Sequence, residues 1–210
     1  MSEPYFTVAR SASVELTIEK SRFIAFVSQV SSREEAEAFV ASVRESHKDA
    51  THNVPAFVIG SRQDIMWSSE DGEPQGTAGA PVLKMLVQEG LSDVCMVITR
   101  YFGGIKLGTG GLVRAYTDVA KAALAEAGLA EVREMLHIHA ACGYKAFNRL
   151  EAFDYDGRAI IENPSYQEKV EFDFVIDPAD EEEMTDMLRD ISGGQVEVLK
   201  KIIARSQIIC

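Results

Sequence analysis

The chain has no hydrophobic run long enough to span a bilayer, no CxxC spacing, and only three cysteines, Cys95, Cys142 and Cys210. The first lack excludes a membrane helix. The second argues against a zinc knuckle, and cysteines that are odd in number and far apart suggest no disulfide framework, so reduced thiols buried in the core are expected. Met1–Arg10 lacks the basic and then apolar regions of a secretory signal, which points to a cytoplasmic location. Positive charge is scarce as well: 21 Lys and Arg against 33 Asp and Glu give a formal net charge of -12. That balance argues against a whole surface built for nucleic acid, and any such contact has to be local.

What is present reads as an α+β protein of two domains. With 210 residues, 46% of them hydrophobic and 26% charged, the chain is large enough for two modest cores. Val14–Ile18 and Phe23–Val27 read as a hairpin, and Ser32 with Glu35 forms a capping box that opens a helix to Ser46. Strands follow at Asn53–Ile59 and Asp64–Trp67, then an irregular loop from Ser68 to Gly79, a helix from Pro81 to the stop at Gly90, and a β-branched strand at Val94–Thr99. Leu112–Ala127 has a helical register that ends at Gly128. From there, Met135–Ala141, Tyr144–Phe153, Arg158–Asn163, Val170–Ile176, an acidic-first helix after Asp177 and Pro178, and Val196–Ile209 give a βαββαβ order, that of a ferredoxin-like domain. The division is placed at residues 1–130 and 131–210, with formal net charges of -4 and -8.

Only one long stretch interrupts the acidic background. Val94–Thr117 holds Arg100, Lys106 and Arg114 and no acid. Within it, TRYFGGIKLGTGGLVRAY places Gly103, Gly104, Gly108, Gly110 and Gly111 between a strand and a helix. Glycine lets backbone N–H groups approach an anion, the helix start adds its free amides and positive dipole end, and the three cations add charge. Two familiar nucleotide patterns fail here. Gly103 and Gly108 have P-loop spacing, but Thr109 and Gly110 replace the required Lys and Ser or Thr, and Val113 breaks the dinucleotide fingerprint. Tyr101 and Phe102 beside these cations suit base stacking or core packing equally.

A second constellation, SSEDGEPQGTAG, offers Glu70, Asp71, Glu73 and Thr77 before a helix start. Such acids suit Mg²⁺ bridging to a phosphate, or a solvated turn that caps backbone amides. His52, near Asp49 and Thr51, is the candidate general base. The case for a reaction stops there: no nucleophile follows from spacing, although Ser68 and Ser69 lie in the acidic loop, and the reading leans against an enzyme. His137 and His139 share a strand face but lack further metal-ligand types nearby, so no metal site is assigned.

The DATHN around His52, EDGEPQGTAGAP from Glu70 to Pro81, and the glycine-rich motif together resemble the YigZ/IMPACT family over most of residues 15–125. The resemblance implies a first domain folded like domain four of elongation factor G and a ferredoxin-like second domain like its fifth. It further implies contact with RNA or the translation machinery. Eukaryotic relatives of the first domain are linked to translational control through a ribosome-associated activator of a starvation-responsive kinase.

The expectation is therefore a regulatory or accessory binding protein of translation. It would hold an RNA phosphate or nucleotide with Arg100, Lys106, Arg114 and the glycine amides, while the acidic second half suits a protein partner better than RNA. The alternative is a metal-assisted enzyme on a small phosphorylated or carboxylated metabolite, with Mg²⁺ at the Glu70–Glu73 loop and His52 moving a proton.

Overall fold

The computed structural model describes residues 3–209, so Cys210 lies outside the described residues. The elements run β1 (Tyr5–Val8), β2 (Ala12–Ile18), β3 (Ser21–Gln29), α1 (Arg33–Ser46), β4 (His52–Ile59), β5 (Ile65–Ser68), α2 (Gly79–Gln88), β6 (Val94–Tyr101) and α3 (Gly108–Ala127). They continue with β7 (Leu129–Cys142), α4 (Tyr144–Glu151), β8 (Ala159–Tyr166), β9 (Val170–Ile176), a short 3₁₀ turn at Pro178–Asp180, α5 (Glu181–Ser192) and β10 (Glu197–Ile209). The chain divides into two compact units, one reaching Val132 and including the residues after Ser206, the other Arg133–Ser206.

In the first unit a five-stranded sheet has the order β2-β3-β6-β4-β5, with every neighbouring pair antiparallel. Both of its faces are covered, which explains the unbroken apolar run of the central strand β6. Successive side chains of a strand point to opposite faces. Cys95 and Val97 therefore pack with Val40 and Val43 of α1. Val94, Met96 and Ile98 pack instead with Leu86 of α2 and Val119 of α3. Burial pushes the Cys95 thiol up to about 12, so it stays protonated and inert at neutral pH.

Helix α1 begins as its sequence dictates, with the Ser32 hydroxyl accepting from the Glu35 amide at 3.2 Å. The returning Glu35 carboxylate engages the Ser31 amide, at 2.7 Å, and not that of Ser32. Helix α3 starts at Gly108, a full turn before the first apolar position that its periodicity reveals. Three of the glycines therefore belong to its first turn. Strand β1, too short to show a period, is held by pairing with Leu129–Val132 of β7.

The second unit has the βαββαβ order read from the sequence. Its strands are arranged β10-β7-β9-β8, and α4 and α5 cover one core containing Ile138, Phe147, Phe172, Phe174, Met184 and Leu188. The α+β class thus holds for the whole described chain. No helix among the described residues is long and apolar enough to cross a membrane.

The β2–β3 hairpin turns on Glu19 and Lys20, both with positive φ, 45° and 64°. Non-glycine residues pay roughly 1–2 kcal/mol for that left-handed backbone, and Asn-Gly is the pair that fits such a turn. The double substitution Glu19→Asn, Lys20→Gly is expected to raise stability by about 1 kcal/mol, read from the urea midpoint.

Candidate functional site

Ten residues without regular structure join β5 to α2, and their carboxylates hold them in place. Glu70 turns back onto the start of α2. Its two oxygens accept from the amides of Gly76 at 3.1 Å, Ala78 at 2.8 Å, Gly79 at 3.0 Å and Ala80 at 3.2 Å. A carboxylate there satisfies donors that have no partner inside the helix and complements the positive end of its dipole. Asp71 accepts from Arg44 at 2.9 Å and from the Asn53 amide at 2.7 Å. Thr77 closes a local turn, its hydroxyl donating to the Pro74 carbonyl at 2.6 Å. The three acids that read as one metal-binding group are thus directed at three separate sets of partners.

Glu73 goes inward, and its side chain is 2% exposed. One of its oxygens accepts from Arg100 at 2.7 Å and from the Tyr116 hydroxyl at 2.7 Å. The Arg100 side chain is 6% exposed. Its guanidinium also reaches Ser21 Oγ at 3.4 Å and sits over the Phe23 and Phe102 rings, while its Nε has no partner. Burial, and then the charge of Glu73, push the Tyr116 phenol well above the ordinary tyrosine range. His52 lies on the rim, with Nε2 3.8 Å from Glu73. Its Nδ1 is 2.8 Å from the Asp71 carbonyl, so that nitrogen carries the proton. Beside it, Thr99 donates to Asn53 Oδ1 at 2.7 Å.

The glycine-rich stretch divides into two parts. Arg100 is spent on Glu73 inside the fold. Gly103 passes so close to the β2–β3 turn that a Cβ there would overlap the Lys20 carbonyl, and its amide donates to Ser21 Oγ at 3.2 Å. Gly104, Gly108 and Gly110 instead face open space, Gly111 packs against Leu107, and no side chain caps the start of α3. Lys106 and Arg114 line a cavity of about 480 Å³ there, together with Ile18, Glu19 and Asp118. Phe102 and Ile105, on the same loop, are exposed. The structure therefore brings Lys106, Arg114 and the first turn of α3 together, and sets Arg100 with Glu73 and His52.

Sequence reasoning missed Tyr116, Ser21, Asn53 and Thr99. Tyr116 carried a signal, because it falls on the apolar stripe of α3 with Leu112 and Val119, and a buried tyrosine hydroxyl needs a partner. In the second unit the His137 and His139 rings have partners of their own: Ser206 at 2.6 Å and Asp173 at 2.9 Å. Among the described residues no group of three or more His, Cys, Asp or Glu has the arrangement of a metal site.

Residues 19–124, which contain this entire network, match the Impact N-terminal domain. The chain is 37% identical over 198 residues to the IMPACT family member YvyE of Bacillus subtilis, a match covering 94% of this chain and 91% of that protein. The chain belongs to the IMPACT family. The IMPACT family member YigZ of Escherichia coli is 36% identical over 201 residues, covering 94% of this chain and 98% of its own. A crystal structure of a hypothetical protein shares 35% identity with a TM-score of 0.60, covering 95% of this chain and 98% of that one. The relationship thus extends past the Impact N-terminal domain into the second unit of this IMPACT protein.

Removing one partner from a buried ion pair leaves an uncompensated charge. Glu73→Gln should therefore destabilise the first unit by about 3–5 kcal/mol, measured by urea unfolding. The Tyr116 phenol adds a pH dependence. Its folded pKa lies above the unfolded one, so its contribution is complete below about pH 10 and falls as pH rises further. Spectrophotometric titration should show one tyrosine that ionises only as the fold is lost.

Proposed function

We propose that this IMPACT family protein is a regulatory or accessory binding protein linked to translation, and that it holds an RNA phosphate or nucleotide at the start of α3. The observation that carries the reading is a helix N-terminus with no side-chain cap, whose Gly108 and Gly110 face open space beside Lys106 and Arg114. Neither cation forms an ion pair among the described residues. Glu19 and Asp118 balance them in charge, so the preference for an anion comes from the backbone amides and the helix dipole. The exposed Phe102 ring supplies a stacking surface for a base. Arg100 acts from inside in this reading, holding the loop at its root and leaving the contact itself to Lys106 and Arg114. Family membership supports the link to translation.

The enzymatic alternative asks Glu70, Asp71 and Glu73 to share a metal. Each of them instead serves a separate set of amides or side chains, which favours the binding reading.

The test is fluorescence anisotropy with a labelled single-stranded RNA over a range of salt concentrations. Lys106→Ala with Arg114→Ala should weaken binding at low salt and flatten the log–log salt slope by about 1.4. An unchanged affinity and slope in that variant would overturn the proposal.

A further inference from the structure

We infer that β10 and the acidic flank of α5 form a docking surface for an extended, basic segment of a protein partner, which joins the sheet as an added strand. The surface lies in the unit of Arg133–Ser206 and is independent of the anion reading, so the failure of either leaves the other standing.

Among the described residues β10 pairs with β7 alone, so one row of its backbone N–H and C=O groups has no strand beside it. Such an edge is a template for an incoming strand, and main-chain hydrogen bonds supply much of the affinity of that mode. The strand carries Lys200 and Lys201 at its centre, Lys201 neutralised by Glu181, and its other central residues are apolar. Val198, Leu199, Ile202 and Ile203 are between 36% and 60% exposed. Side chains alternate along a strand, so these residues fall in two pairs on its two faces, and an added strand would find apolar surface on both.

Charge selects the occupant. Helix α5, EEEMTDMLRDIS, carries five carboxylates and one arginine. Its acidic side flanks β10, since Lys201 donates to Glu181 at 2.6 Å. Glu181, Glu182, Thr185, Asp186, Arg189 and Lys201 line a groove of about 390 Å³ between the two elements. The cations of the groove are already engaged, Lys201 by Glu181 and Arg189 by Asp186 at 3.2 Å. Glu182 has no ion pair among the described residues. Thr185 is 6% exposed, and its hydroxyl, in the groove wall, lacks a hydrogen-bond partner. A buried hydroxyl in that condition is exceptional and calls for a partner.

A segment alternating Lys or Arg with β-branched residues meets every one of these features. Its backbone pairs with β10, its cations meet Glu181, Glu182 and Asp186 on the face of Lys201, and its apolar side chains cover Val198 and Ile202 on the opposite face. RNA is repelled by the same acids. A second copy that paired through β10 would set one α5 beside another, like charge against like.

The test uses the full chain and a fluorescein-labelled peptide of alternating Lys and Val as long as β10, followed by anisotropy and by amide hydrogen exchange. The peptide should slow exchange across Val198–Ile203. The triple variant Glu181→Gln, Glu182→Gln, Asp186→Asn should weaken binding about tenfold, while Glu34→Gln with Glu37→Gln on α1, in the other unit, should leave it unchanged. Equal weakening by both variants, no slowing in β10, or equal binding of a Glu-Val peptide would each overturn the inference. So would light scattering that shows β10 protected by self-association.

Discussion

A single buried carboxylate, Glu73, joins three elements distant in sequence. It holds Arg100 at the end of β6 and Tyr116 on α3, and it anchors the irregular loop from which it comes. Through Arg100 the connection extends to Ser21 at the start of β3, which in turn receives the Gly103 amide. Desolvating an ion pair is costly, and the cost is offset only where geometry is good and the remaining polar atoms are satisfied. Here the pair has the Tyr116 hydroxyl as a third member and aromatic rings above the guanidinium. The arrangement fixes where the loop after β6 leaves the sheet. The position of the α3 start follows from it.

Two of the three helix starts of this unit, those of α2 and α3, answer the same electrostatic demand in different ways. At α2 the chain supplies its own anion, the Glu70 carboxylate, which takes four amides. At α3 no side chain does so. The positive end of one dipole is closed internally, and the other is presented beside Lys106 and Arg114. The second unit has no glycine-rich counterpart of this stretch, although β10 carries Lys200, Lys201 and Arg205. Five carboxylates lie on α5, which suits that helix to basic protein segments and not to phosphate.

Much of the fold was legible because its signals are local. The capping residue Ser32, the alternation in β2 and the apolar run of β6 each lie within a few residues, and the βαββαβ rhythm is a succession of such short signals. The pairing of Arg100 with Glu73 was not legible for the opposite reason. The basic stretch contains no acid, and its neutralising partner arrives from another loop. Sequence alone therefore presents Arg100 as a free cation like Lys106 and Arg114, when burial separates it from them. Glu70 was legible only as one of two alternatives, because an acid that caps a helix and an acid that binds a metal look the same when they precede a helix start; the structure shows the cap. The early start of α3 was hidden because Gly108, Thr109, Gly110 and Gly111 offer no apolar residue for periodicity to register.

If the buried pair governs the glycine-rich loop as well as the acidic one, its loss releases both. Amide hydrogen exchange on Arg100→Met measures this directly, since it follows both segments in one experiment. Residues 70–78 and residues 102–111 are expected to lose protection together, by similar factors. A loss confined to 70–78, with the start of α3 exchanging as in the parent protein, would contradict that.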